Sequence, residues 1–312
     1  MVIVKVENLI KIYGNGVKAL DNLTYQVREG EIFGLLGPNG SGKTTSINCV
    51  LGLLKYDQGT VEVFGEPMTP TSYHIKKNIG IVTQDVAVFE ELTVYENVDY
   101  FCGLYVKDAK ERKVLVEEAL NFVSINDFRN FYPKKLSGGL LRRLHIACGI
   151  AHKPKLIIMD EPTVGIDPQS RNNILEGIKK LNKEGATIIY TSHYMEEVEQ
   201  ICDYILIIDK GKTVAEGSKE ELKALISLGE VIEVETENVK ESTLDAIKKL
   251  DNVISVELKH KAMIIKLGKG KSNIPEVLKV LDENKQGYTS IYSELPTLND
   301  VFLELTGKEL RD

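Results

Sequence analysis

The stretch Gly37-Pro38-Asn39-Gly40-Ser41-Gly42-Lys43-Thr44 constrains this chain more than any other. It follows the apolar run Ile32 to Leu36 and precedes the helix-patterned segment Thr45 to Leu54, so the local order is strand, glycine loop, helix. In that setting the pattern G-x-x-x-x-G-K-[ST] is a phosphate-binding loop. Glycines, lacking a Cβ, let consecutive backbone N–H groups turn inward around an anion, and the following helix presents its positive end to the same place. Lys43 adds a full charge for the terminal phosphates. The Thr44 hydroxyl is positioned to ligate Mg²⁺, which prefers oxygen donors and keeps waters and substrate phosphates in its shell. A glycine-rich turn that served only as a turn would not require Lys-Thr directly after its last glycine, so the chain is expected to bind a nucleotide here.

At 312 residues the chain exceeds what one hydrophobic core usually serves, and two domains are expected. No stretch approaches about 18 uninterrupted apolar residues, and Met1 to Lys5 lacks the form of a secretory signal, which points to the cytosol. Against 39 basic residues stand 46 acidic ones, net −7, which argues against a nucleic-acid partner. Cys49, Cys102, Cys148 and Cys202 are far apart and lie mostly in apolar helical patterns, so they read as reduced core residues.

Val2 to Glu7 alternates as a strand should, and Leu23 to Val27 can pair beside it. Between them, Tyr13 precedes Gly14-Asn15-Gly16; it is either an aromatic platform for a base or a partly exposed loop tyrosine. Thr60 to Phe64 alternates again, and Asn78 to Val82 leads to Gln84. From Leu92 to His152 the periodicity is helical: Val94, Val98, Phe101 and Tyr105 share a face, as do Leu115, Ala119 and Phe122, and Leu140, Leu144, Ala147 and Ala151. Strands resume at Leu156 to Met159, Ala186 to Thr191 and Tyr204 to Asp209, with a helix from about Gln169 to Lys183 between the first two. The expected fold is therefore α/β: a mainly parallel sheet with antiparallel strands at its start and a helical insertion over about 92–152.

A second pattern starts near Ser227. Glu230 to Glu237, Glu241 to Leu250, Val253 to Leu258 with Ala262 to Leu267, Ile274 to Asn284 and Thr289 to Ser293 read as βαββαβ, the split ferredoxin-like arrangement. An amphipathic helix, Leu298 to Thr306, closes it. The expected division is 1–226 and 227–312. Lys266, Lys269 and Lys271, interleaved with Gly268 and Gly270, read as a solvated turn.

A phosphate loop needs a second carboxylate to order Mg²⁺, and Leu156-Ile157-Ile158-Met159-Asp160 ends a buried strand with one. Asp160 is placed to hold the metal or its water. Glu161 then comes within hydrogen-bond reach of a water attacking the γ-phosphate, which makes it the candidate general base. Asp167, before Pro168, suits a helix N-cap. His193 falls at the carboxyl edge of the sheet, where ligands bind in open α/β folds; a helix-capping surface histidine would look the same.

Leu136-Ser137-Gly138-Gly139-Leu140 is what separates these readings. L-S-G-G is the signature of the ATP-binding cassette family, and it stands in that family's order with the phosphate loop, Gln84, the Asp160-Glu161 pair, Asp167 and His193. The resemblance covers Val2 to about Lys219. It implies a P-loop NTPase cassette that binds ATP with Mg²⁺ and hydrolyses it, two copies closing head to tail over two nucleotides. In that arrangement Gly37 to Thr44 with Thr45, Tyr13 as adenine platform, Gln84 as Mg²⁺ or water ligand, Asp160, Glu161 and His193 come from one subunit. Ser137, Gly138, Gly139 and Asp167 come from the other.

The sequence departs from the pattern in two places: Leu140 stands where the family most often has glutamine, and Val164-Gly165-Ile166-Asp167 replaces the usual S-A-L-D. Neither removes an anion-binding group. The resemblance further implies a transporter subunit, peripheral on the cytoplasmic face of the membrane, working with a separate integral-membrane permease received by Asp85 to Val98. His193 to Glu199, Val164 to Pro168 and Leu298 to Leu310 look like the subgroup that exports drugs, antibiotics, lipids or polysaccharides. The C-terminal domain is expected to dock on the cassette or its symmetry mate, or else to bind a small regulator. The alternative class, a soluble cassette ATPase acting on ribosomes or nucleic acid, usually carries two cassettes, a coiled-coil insertion or a basic surface. This chain has none of these.

Overall fold

The computed structural model describes residues 1–307, so the last part of the Leu298 to Leu310 stretch and of the 227–312 domain lies outside the described residues. Two compact units divide the chain, Met1–Lys219 and a second beginning at Glu220.

In the first unit, β1 (Val2–Ile12) and β2 (Lys18–Arg28) form an antiparallel hairpin whose loop carries Tyr13. Both strands run further than their alternation suggests. Asn8, at φ 49, shifts the register between Val6 and Leu9, and a bulge of that kind interrupts the period of two. Then come β3 (Ile32–Leu36), buried at every residue, and α1 (Lys43–Val50), the two joined by the phosphate loop. With β4 (Gln58–Val63) and β5 (Glu66–Pro67), the hairpin completes an antiparallel sheet of order β2-β1-β4-β5. The short α2 (Tyr73–Lys76) leads to β6 (Ile79–Val82).

The insertion is helical throughout: α3 (Val94–Gly103), α4 (Ala109–Phe122) and α5 (Gly138–Ile150), each started by a side-chain cap from Thr93, Asp108 and Ser137. Its core is Val94, Val98, Cys102, Val116, Leu120, Leu144 and Ala147. Tyr105 does not join that face as the periodicity suggests, because α3 ends at Gly103. Its ring is 43% exposed and stacks on His152 at 4.0 Å, while Cys102 fills the core position.

Beyond the insertion lie β7 (Leu156–Asp160), α6 (Pro168–Lys183), β8 (Thr187–Ser192), α7 (Met195–Ile201), β9 (Tyr204–Asp209) and β10 (Lys212–Gly217). The six-stranded sheet has the order β10-β9-β3-β8-β7-β6 and is parallel except for β10 at its edge. Register aligns Leu36 with Ser192 and Asp160 with Thr191, so β3, β7 and β8 end together. Ligands of open α/β sheets bind at this carboxyl edge.

α8 (Lys219–Leu225) begins at the boundary, and the second unit continues with β11 (Leu228–Glu235), α9 (Glu241–Lys248), β12 (Val253–Lys259), β13 (Ala262–Gly268), α10 (Ile274–Glu283), β14 (Ser290–Glu294) and α11 (Leu298–Thr306). Its sheet, of order β12-β13-β11-β14, is antiparallel throughout, as the split βαββαβ arrangement requires. Ile232, Val234, Met263, Ile265 and Leu267 pack with Ile247, Val277 and Leu281 of the helices. Lys266 is not in the turn with Lys269 and Lys271: it lies within β13, 3.5 Å from Glu257. All four cysteines are free and buried.

Candidate functional site

Where β3 ends, Gly40 (φ 79) and Gly42 (φ 110) adopt left-handed backbone that carries the chain around the loop and into α1. A Cβ on Gly37 would stand 2.3 Å from the Ile208 carbonyl oxygen, so the loop lies against β9 as only glycine allows. Lys43 folds back across it, Nζ donating to Gly37 O at 2.7 Å. The hydroxyl of Ser41 is buried without a hydrogen-bond partner. A buried unpaired hydroxyl costs about 1–3 kcal/mol, so the loop holds a donor suited to an anion at the positive end of α1.

Thr44 and Asp160 meet: Thr44 Oγ1 donates to Asp160 Oδ2 at 2.9 Å. Thr191 Oγ1 donates to the other oxygen, Oδ1, at 2.5 Å, which fixes the carboxylate. A hydroxyl and a carboxylate are the hard oxygen donors that suit Mg²⁺, so these residues fit the ion. The backbone carbonyls of Thr83 and Gln84 accept from the guanidinium of Arg142 on α5, at 2.8 and 2.7 Å. Among the described residues no hydrogen bond joins Gln84 to Thr44 or Asp160; Gln84 is exposed just past β6.

Glu161 is buried, and its backbone sits at φ 47 while its N–H donates to Thr191 Oγ1 at 2.9 Å. Left-handed backbone at a non-glycine residue costs about 1–2 kcal/mol and is over-represented at functional sites. Its carboxylate is divided between two partners. Oε1 lies 3.0 Å from Lys43 Nζ, and Oε2 lies 3.0 Å from His193 Nδ1. The phosphate-loop lysine and the candidate base, both buried, and the partly buried histidine thus form one row.

Tyr13 is 40% exposed, with its hydroxyl 3.2 Å from Thr45 Oγ1. The bond brings the half-open ring beside the start of α1, where a base attached to the bound phosphates would need a platform.

The other predicted residues form a second cluster. Ser137 caps α5, its side chain accepting from Leu140 N at 3.4 Å, and Asp167 caps α6, accepting from Ser170 N at 2.9 Å. The backbone N–H of Ser170 holds the Asp167 carboxyl below its ordinary range. A Cβ on Gly139 would stand 2.6 Å from Ser170 Oγ, so the two helix starts touch. Nothing lies within 4 Å of a Cβ on Gly138, which leaves that N-terminus open. No hydrogen bond or ion pair among the described residues joins this cluster to the phosphate loop.

Two contributors escape sequence reasoning. Thr191 serves both Asp160 and Glu161 and sits at the end of the neighbouring strand, a position that the strand pattern marks only once strand order is known. Arg142 is buried on α5 together with His145 among apolar residues, and a charged residue in that apolar pattern is its one visible signal. A cavity of about 810 Å³ lined by Leu115, Phe122, Ile150, Lys155, Lys180 and Ala186 opens at the opposite, amino-terminal edge of β7 and β8 and contains none of the predicted residues.

Comparison with known proteins finds relatives that span the chain almost from end to end. A family profile described as ABC transporter matches residues 20–164, and one described as the C-terminal domain of DrrA1-3-like ATP-binding proteins matches residues 217–306. The linearmycin resistance ATP-binding protein LnrL of Bacillus subtilis is 38% identical over 308 residues, covering 98% of this chain and 99% of that one. The Nod factor export ATP-binding protein I of Sinorhizobium fredii is 34% identical over 316 residues, 100% of this chain and 88% of that one. Among solved structures, a dimeric post-hydrolysis ATP-binding cassette bound to ADP and Pi superposes with a TM-score of 0.64 at 29% identity, over 69% of this chain and 98% of its own.

Proposed function

Because the chain belongs to the ABC transporter family of ATP-binding proteins, we propose that it is the ATP-hydrolysing subunit of an exporter. Two copies, or one copy and a close relative, close head to tail over two ATP and drive a separate membrane permease. The observation that carries this reading is the position of Glu161, one residue past Asp160, between Lys43 and His193 at 3.0 Å each.

Each residue then has a task. The loop N–H groups, Ser41 and Lys43 bind the phosphates, and Tyr13 takes the base. Thr44 and Asp160, with Gln84 brought in on closure, would hold Mg²⁺, which neutralises charge on the terminal phosphates. Glu161 accepts the proton of the attacking water, and His193 steadies its carboxylate. The open N-terminus of α5 at Ser137 to Gly139, with Asp167, serves the ATP held by the other copy. Breaking the terminal phosphate bond and releasing the phosphate removes the charge that holds the two copies together, so nucleotide state sets open or closed.

No helix among the described residues is long and apolar enough to cross a membrane, and the proposal assigns that path to the permease, with this chain on its cytoplasmic side. Phe89, in the Asp85 to Val98 segment where the permease would press, is 42% exposed and in edge contact at 4.9 Å with Tyr100 of α3. Relatives named for linearmycin resistance and Nod factor export support outward transport of an antibiotic-like, lipid-like or saccharide-bearing cargo.

Glu161→Gln tests the chemistry: ATP binding is expected to survive while hydrolysis falls about 100-fold or more. Purification of the tagged chain from native membranes tests the partner. A co-purifying polytopic membrane protein is the expected result, and ribosomes in its place would overturn the transporter reading.

A further inference from the structure

Glu197 looks like one more surface acid in the run Met195-Glu196-Glu197-Val198-Glu199, yet it is 2% exposed. A buried carboxylate is costly unless it is both paired and hydrogen-bonded. Here four groups converge on it. Thr163 Oγ1 lies 2.8 Å from both carboxylate oxygens, and Tyr190 OH donates to Oε2 at 2.7 Å. Ser192 Oγ donates to Oε2 at 3.0 Å, and Arg171 Nε stands 3.3 Å from Oε1. Burial, then the Glu197 charge, push the Tyr190 phenol far above its ordinary range, so it stays a donor.

These three hydroxyl donors and the paired guanidinium come from or adjoin the segments that carry the candidate chemistry. Thr163 is two residues beyond Glu161, Ser192 immediately precedes His193, and Arg171 is one turn into α6 from its cap, Asp167. The Arg171 guanidinium also lies over the Tyr194 ring, 4.7 Å from its centroid, and that ring is 4.2 Å from the His193 ring. Glu197 thus binds residues adjoining Glu161 and His193 in the chain, Thr163 and Ser192, and Arg171 reaches the His193 ring only through Tyr194.

We propose that Glu197 and Arg171 are positioning residues that hold Glu161 and His193 in register and tie that pair to Asp167 at the start of α6. The inference rests on Glu161 and His193 being the hydrolytic pair. In the closed dimer, displacement of Asp167 by the second nucleotide passes through Arg171 to the Tyr194–His193 stack and to Glu197. A buried ion pair serving stability alone would treat nucleotide binding and turnover alike.

The test uses the full chain with MgATP. Glu197→Gln is expected to lower kcat by about 10- to 100-fold, the range for residues that orient a ligating or reacting group, with ATP affinity within about threefold of the parent. In a Glu161→Gln background, the single-turnover rate should show little further loss, because residues acting as a unit are not additive. Parallel loss of kcat and ATP affinity, or full additivity with Glu161→Gln, would overturn the proposal. Should Glu197→Gln not fold, Arg171→Lys carries the test, since it keeps the charge but not the planar fork. Lowered kcat at unchanged affinity is expected there, and unchanged kcat overturns the proposal. Normal turnover in Glu161→Gln alone would instead overturn the reading of the hydrolytic pair, whatever the Glu197 variants do.

Discussion

Thr44 and Asp160, 116 residues apart in sequence, share a hydrogen bond of 2.9 Å, and Thr191 holds the far oxygen of the same carboxylate. If this pair orders Mg²⁺, its hydroxyl matters only with the ion present. Thr44→Val, which keeps the shape, should weaken MgATP binding by about tenfold and barely change ATP binding in EDTA, as measured by fluorescent-nucleotide titration. Equal loss under both conditions would mean that Thr44 serves only the shape of the loop.

The ring of Tyr13 and its hydroxyl can be separated. Tyr13→Phe breaks only the exposed bond to Thr45 and should leave KM near the parent value. Tyr13→Ala should raise KM about three- to tenfold for ATP and GTP alike, since stacking of about 0.5–1.5 kcal/mol does not read base identity. A KM unchanged in both variants would return Tyr13 to the role of loop tyrosine.

Acid should destabilise the cassette through two histidines. Burial, then the Arg142 charge, push His145 down to about 4 from an ordinary 6.5, and burial does the same to His152. Both are neutral in the fold and take up protons more readily when unfolded. Their contribution is therefore complete above about pH 6.5 and is lost as pH falls toward 4. Between pH 7 and 5 the loss is on the order of 2 kcal/mol for His145, whose residue is 4% exposed, and no larger for His152. Urea midpoints at pH 7, 6 and 5 should fall accordingly, and His145→Gln should flatten the slope.

Arg142 spans two carbonyls with its planar fork, which a lysine cannot do. Arg142→Lys should raise amide exchange around Thr83 to Asp85 and lower Tm by about 2–4 °C for each kcal/mol lost, while ATP binding survives. Exchange unchanged at those residues would show that the fork is dispensable.

The candidate site was legible where contiguous residues carry it. The loop Gly37 to Thr44 and the Asp160-Glu161 pair follow apolar strands whose ends the sequence marks, and the βαββαβ unit announces itself through period alone. What stayed hidden depends on strand order or on broken periods. Lys212–Gly217 is a half-exposed edge strand with no apolar run, and Asn8 interrupts the alternation of β1. Glu197 could not be told from Glu196 or Glu199, since its donors are scattered from Thr163 to Ser192 and meet it only when β7, α6 and β8 are assembled. Period also fails at Tyr105, where α3 has already ended at Gly103.

Arg142 sits on the same rigid helix as Gly138 and Gly139, one turn further along. The Gln84 segment is therefore tied, through one guanidinium and two carbonyls, to the helix whose first turn holds Gly138 and Gly139, and a displacement of that segment would have to turn α5 or break the fork.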